Sequence, residues 1–198
     1  MAWAVIAHGA GNDLHAPFLA GAAQGLAANA VSTMRFNFPF TEERRRAPDR
    51  SPVLQEAWRA ALAAAAERAE GLPLVASGKS LGGRMASMLA AEDPAGFPCR
   101  ALVFFGYPLH APGRPDKPRD AHLPAVRVPM LFIQGTSDAL ASFDLIEALV
   151  ERLRPLARLH VVQGGDHSFR VRGARRPDDD IGRELGHVAA EFITEVVS

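Results

Sequence analysis

The chain has 198 residues, 48% of them hydrophobic, which suits one domain with its own core and no need of metal or disulfide staples. Its 22 Lys and Arg balance 22 Asp and Glu, so the formal net charge is zero and the basic excess of a nucleic-acid binder is missing. The lone cysteine, Cys99, excludes an internal disulfide. No basic leader precedes the apolar start and no apolar stretch nears the roughly 20 residues that cross a bilayer, so the expectation is a cytoplasmic protein away from membranes.

Strand-like and helix-like segments then alternate along the chain. Ala2–Ala7 is an apolar run that stops at His8-Gly9. A helix is predicted from Pro17 to Ala28, with Phe18, Leu19, Ala22, Ala23 and Leu26 on one side, and a second strand over Val31–Phe36. Ser51-Pro52 reads as an N-cap followed by proline at the first helical position, opening a helix that runs to about Glu70. Pro73–Ser77 is a third strand, followed by a helix from Leu81 to Glu92. Arg100–Phe105 and Pro129–Gln134 are two further strands. A helix over Phe143–Leu153 follows, then a strand over Arg158–Gln163. Asp178–Asp180 suits the start of a last helix, where the dipole favours negative charge. This alternation predicts one domain over residues 1–198: a parallel sheet of about six strands covered by helices on both faces. Two stretches stay irregular, Asn37–Arg50 and the proline-rich Gly106–Val128. The second is too short for a helical cap domain and its prolines oppose regular helix, so an open site is expected.

In open sheets of this kind ligands sit beyond the carboxyl ends of the strands. Three such ends carry a serine, an aspartate and a histidine: Gly78-Lys79-Ser80, Gly135-Thr136-Ser137-Asp138 and Gly164-Gly165-Asp166-His167. Gly78-Lys79-Ser80-Leu81-Gly82 fits G-x-S-x-G between a strand and a helix, a turn so tight that the residues two before and two after the serine nearly touch. The turn exposes the hydroxyl at a helix N-terminus, which favours negative charge. A phosphate-binding loop would need glycine where Pro73 stands, and His8-Gly9-Ala10-Gly11 lacks the third glycine of a dinucleotide site. A serine nucleophile needs a base, and His167, on a loop after the last strand, is placed for it. Asp138 is the orienting acid in the chain order Ser80, Asp138, His167; Asp144 and Asp166 are the alternatives, the first expected to cap a helix after Ser142 and the second to point away from the histidine. The N–H groups of Leu81 and of Ala10, or of Gly11, are the candidate oxyanion donors.

Other residues are weighed as pocket walls or surface. Phe38, Tyr107 and His110 are candidate substrate contacts. His8 reads as structural. Arg44-Arg45-Arg46 reads as a solvated loop face balanced by Glu42, Glu43 and Asp49. Arg84 reads either as a partner of an acid near the site or as exposed, and Arg170, Arg172, Arg175 and Arg176 as surface. No Cys/His cluster has metal-ligand spacing, and no cofactor is expected.

Taken in order, the motifs HGAG (His8–Gly11), RFNFP (Arg35–Pro39), GKSLGGRMAS (Gly78–Ser87), GYPLH (Gly106–His110), QGTSD (Gln134–Asp138) and GGDHSF (Gly164–Phe169) resemble the small α/β-hydrolases of the dienelactone-hydrolase-like group. The resemblance covers nearly the whole chain. It implies a minimal α/β-hydrolase fold with strand order 2-1-3-4-5-6 and Ser80, Asp138 and His167 as a catalytic triad. Dienelactone hydrolases themselves use cysteine where this chain has Ser80, which argues against a dienelactone as substrate. The expected activity is cleavage of an ester or thioester of a small acyl substrate through an acyl-enzyme, by a monomer or homodimer. Because the resemblance extends to a chromatin-complex subunit, a hydrolase-fold interaction module without turnover is the competing expectation.

Overall fold

A computed structural model describes residues 1–198. The strands are β1 (Ala2–Ala7), β2 (Val31–Phe36), β3 (Leu74–Lys79), β4 (Cys99–Phe105), β5 (Met130–Gly135) and β6 (Ala157–Val162). The helices are α1 (Pro17–Ala27), α2 (Pro39–Glu42), α3 (Ser51–Ala69), α4 (Leu81–Glu92), α5 (Phe143–Arg152) and α6 (Asp178–Val197), with one 3-10 turn at Leu123–Ala125. All six strands pair in parallel, in the order β2-β1-β3-β4-β5-β6, as expected for a minimal α/β-hydrolase fold without a large cap.

The central strands are apolar on both faces because both faces are covered. Alternate residues of each strand point to opposite sides. Val5, Ala76, Leu102, Phe104 and Phe132 meet α3, α4 and α5, around Trp58, Met85 and Ile146. Ile6, Val75, Val103, Phe105 and Ile133 meet α1 and α6, around Leu19, Leu185 and Ile193. On that second face α1 and α6 lie unusually close. A Cβ on Gly25 would stand 2.2 Å from the Arg183 carbonyl oxygen, and one on Gly186 would stand 2.4 Å from that of Ala22. Only glycine at the crossing lets the two backbones approach.

Three local expectations need correction. Ser51 is not the N-cap of α3: Arg50 takes that place without a side-chain bond, and Ser51 and Pro52 begin the helix. Asp144 does not cap α5; Ser142 holds the cap position and Asp144 lies in the first turn, where its charge meets the helix dipole. The strand ahead of Ser80 runs two residues further than Ser77, through Gly78 and Lys79, because both still pair with β4. No helix is long and apolar enough to cross a membrane.

Candidate active site

Ser80 is the one residue between β3 and α4. Its backbone has φ 51° and ψ −115°, a left-handed conformation that a side chain adopts only at a cost of about 1–3 kcal/mol. The turn is held at both ends: the Ser80 N–H donates to the Phe105 carbonyl, and the Ser80 carbonyl accepts from the Arg84 N–H. Gly78 makes the turn possible, since a Cβ there would stand 2.3 Å from the Gly83 nitrogen and 2.5 Å from the Gly82 carbonyl carbon. Gly82 is needed for a different reason than closeness to Gly78: its Cβ would meet the backbone of Ala7 in β1 at 2.6 Å. The elbow is therefore pressed both onto itself and onto the neighbouring strand.

The loops after β5 and β6 come together for a similar reason. A Cβ on Gly135 would lie 2.1 Å from the Gly165 carbonyl oxygen, and the Ser137 N–H donates to that same oxygen. This contact sets Asp138 beside His167. His167 Nδ1 is 2.7 Å from Asp138 Oδ2, and His167 Nε2 is 2.8 Å from Ser80 Oγ. A carboxylate only accepts, so Nδ1 carries the proton and Nε2 offers its lone pair to the serine hydroxyl. The Asp138 side chain is fully buried and its other partners are fixed donors: Gln134 Nε2 to Oδ2 at 2.6 Å and the Leu140 N–H to Oδ1 at 2.8 Å. Asp166 faces away from the imidazole, its Oδ1 accepting from the Ser168 and Arg170 N–H groups and so shaping the loop that carries His167.

The loop after β1 passes directly over the elbow: a Cβ on Gly9 would be 3.5 Å from that of Ser80. Beyond it, Ala10 and Gly11 are exposed, and no hydrogen bond within the protein engages their N–H groups or that of Leu81. These are donors of the type needed for a developing oxyanion. Ala10 and Gly11 also line an open cleft of about 590 Å³, whose other walls include Phe40, Thr41, Arg44 and Arg46. Three of its twelve lining residues are hydrophobic, Ser80 and His167 are not among the twelve, and the cleft is open and not a closed tunnel.

The three expected substrate contacts are elsewhere. Phe38, Tyr107 and His110 are all buried. Phe38 stacks in the cluster of Phe36, Phe40 and His8. Tyr107 packs on Phe104 and Phe132, and its hydroxyl donates to the Arg119 carbonyl. The His110 ring ties the loop to α5, its Nε2 accepting from the Ser142 N–H. The two ends of the proline-rich segment thus pack back onto the sheet, while Pro112–Arg119 between them is exposed. The far end is fixed to α4 by the part-buried pair of Ser87 Oγ and His122 Nε2, 2.8 Å apart. Burial, with Arg84 beside it, pulls His122 down to about 4, so the imidazole stays neutral there.

His8 is structural as expected. Its Nδ1–H donates to the Gly9 carbonyl and its Nε2 accepts from the Phe38 N–H. Arg45 pairs with Glu43 and Asp49, while Glu42 accepts from Asn37 instead. Arg170 pairs with Asp178 and Arg176 with Glu184 at the surface. Arg84 has no acid partner and is half-buried beside Tyr107. Two residues bonded to the serine–histidine–aspartate run escaped sequence reasoning, Gln134 and Lys79. Each is a long polar side chain in an otherwise apolar strand, which by itself signals a buried partner.

The alpha/beta hydrolase domain model matches residues 1–196. Among solved structures, the chain is similar to an α/β serine hydrolase without lid from Xanthomonas campestris, with a TM-score of 0.74 and 21% identity over 96% of this chain and 82% of that one. It is similar to a dienelactone hydrolase from Anabaena variabilis, with a TM-score of 0.73 and 23% identity over 100% and 88%. An esterase domain from Rhodothermus marinus aligns with a TM-score of 0.71 and 18% identity over 100% and 88%. At these identities the likeness to solved structures speaks for the fold alone.

Proposed function

Since this chain belongs to the alpha/beta hydrolase domain family, we propose that it is a serine hydrolase cleaving an ester or thioester of a small acyl substrate. The observation that carries this reading is the unbroken hydrogen-bonded run from Ser80 Oγ through His167 to the buried carboxylate of Asp138. In the proposed reaction His167 Nε2 takes the hydroxyl proton as Ser80 Oγ attacks the acyl carbon. The N–H groups of Leu81 and Ala10 receive the negative charge on the carbonyl oxygen, with Gly11 as the alternative to Ala10. His167 then passes its proton to the departing oxygen or sulfur, leaving the acyl group on Ser80. A water molecule, deprotonated by the same imidazole, releases the acid and restores the serine. Asp138 stays ionised throughout and stabilises the imidazolium of each half-reaction.

The substrate class follows from the cleft. With an open cleft beside the oxyanion loop and only three hydrophobic residues among its twelve lining residues, a long acyl chain would remain largely in water. Each methylene so exposed forfeits about 0.8 kcal/mol of binding. Nitrophenyl esters of two to sixteen acyl carbons test this directly. The expected kcat/KM is highest for the shortest chains and shows no jump above the micelle threshold. A steady rise toward the longest ester would refute the open site.

A further inference from the structure

Lys79, directly before the nucleophile, points into the protein and is almost wholly buried. Its Nζ donates to the backbone carbonyl of His167 and stands 5.1 Å from the centre of the Phe169 ring. No carboxylate forms an ion pair with it at contact distance, which is unusual for a buried ammonium. The space it occupies is kept open by the surrounding backbone. Gly106 has φ 70°, and a Cβ there would come within 2.9 Å of Nζ. Phe169, whose ring faces the amine, itself has φ 64°, a conformation that non-glycine residues seldom take.

From this arrangement we infer that Lys79 is a positioning residue for the base: its ammonium ties the backbone of His167 to the strand that leads into Ser80. The inference rests on the reading of Ser80 and His167 given above, and it adds a link that the hydroxyl–imidazole contact alone does not supply. The side-chain bond between Ser80 and His167 is broken and remade in every half-reaction. The bond between Lys79 and the His167 carbonyl involves no reacting atom, so it holds the two loops together throughout. Misplacement by about 1 Å in such a pair costs on the order of a hundredfold in rate.

The point a Gly106 Cβ would occupy is 2.9 Å from Nζ and 3.6 Å from His167 Cε1, so the amine also lies close beside the ring that it positions. The other charged groups facing Lys79 are Asp138 and Asp166, which favour its charge, and Asp178, which is engaged by Arg170. The loops after β1 and β4 bring uncharged Gly9 and Gly106 against it. Burial outweighs the two aspartates and draws the Lys79 amine down from its ordinary 10.5 to about 8. Because the folded value is depressed, the charged form is disfavoured by folding: keeping the ammonium buried lowers stability below pH 8, and the cost is relieved as pH rises through 8.

The test is the rate of fluorophosphonate labelling of the full chain at pH 7 for wild type, Lys79→Met and Lys79→Gln, with melting temperatures. The expected result for Lys79→Met is labelling slower by about 10–100-fold, with a melting temperature no lower than that of wild type. Lys79→Gln, whose amide can still donate to the His167 carbonyl, should recover most of that rate. Labelling of Lys79→Met within twofold of wild type would overturn the inference. So would equal rates in the two variants, slow labelling that comes with a lower melting temperature, or failure of both variants to fold. An unlabelled wild type would remove the serine-hydrolase reading and this inference together; a labelled wild type with an equally fast Lys79→Met would remove only the role of Lys79.

Discussion

Asp138→Asn should leave the fold intact and lower kcat by about four orders of magnitude. Both carboxylate oxygens already accept N–H bonds, Oδ2 from His167 and Gln134 and Oδ1 from Leu140. An amide in either orientation sets its NH2 against one of these donors. If it faces His167, the imidazole must turn its lone pair to Nδ1 and present N–H to Ser80, which disables the base. If it faces Leu140, a buried donor loses its partner at a cost of about 1–3 kcal/mol and the turn after β5 is pushed out of place. Asp166→Asn retains an oxygen for the Ser168 and Arg170 N–H groups, so its kcat should stay within about tenfold of wild type. Steady-state kinetics on one short nitrophenyl ester, with circular dichroism as the control for folding, decides the assignment. A near-normal Asp138→Asn beside a crippled Asp166→Asn would reverse it.

Gly78→Ala should damage both stability and turnover. The added Cβ would collide with the backbone of Gly82 and Gly83, not with a side chain that could swing away. Overpacking of this kind costs about 1–3 kcal/mol and sometimes more, a large part of the roughly 5–15 kcal/mol that holds a domain together. Any relief comes from opening the elbow, which moves Ser80 Oγ off His167 Nε2 and lowers kcat/KM by about a hundredfold or more. Gly11→Ala is the matched control, because a Cβ there meets nothing within 4 Å. Its melting temperature should match that of wild type, while that of Gly78→Ala should fall by several degrees. Equal melting temperatures for the two variants would contradict the tight turn.

The parts of this site that could be read from sequence are those set by local rules. An apolar run, a glycine-framed serine and a helix follow one another within a few residues, so strand, elbow and helix follow from the pattern of residues 74–92. Asp138 and His167 stand out in the sequence because ligands of such sheets gather at strand ends. What stayed hidden depends on residues far apart in the chain. Tyr107 and His110 look like pocket walls after a strand, yet contacts of Tyr107 with Arg119 and of His110 with Ser142 draw them inward. Helix α2, four residues long, is too short to show any period. Gln134 and Lys79 carried a signal, a large polar group in an apolar strand, but their partners lie on other strand ends and only the folded sheet brings them together.

The central claim is that Ser80 becomes acylated during turnover, and the mass of the protein after reaction with a fluorophosphonate tests it most directly. The folded wild type should gain one adduct, peptide mapping should place it on Ser80, and Ser80→Ala should gain none. No adduct on the folded wild type, or an adduct on another residue, would contradict the account and leave a hydrolase-fold protein that binds without turning over.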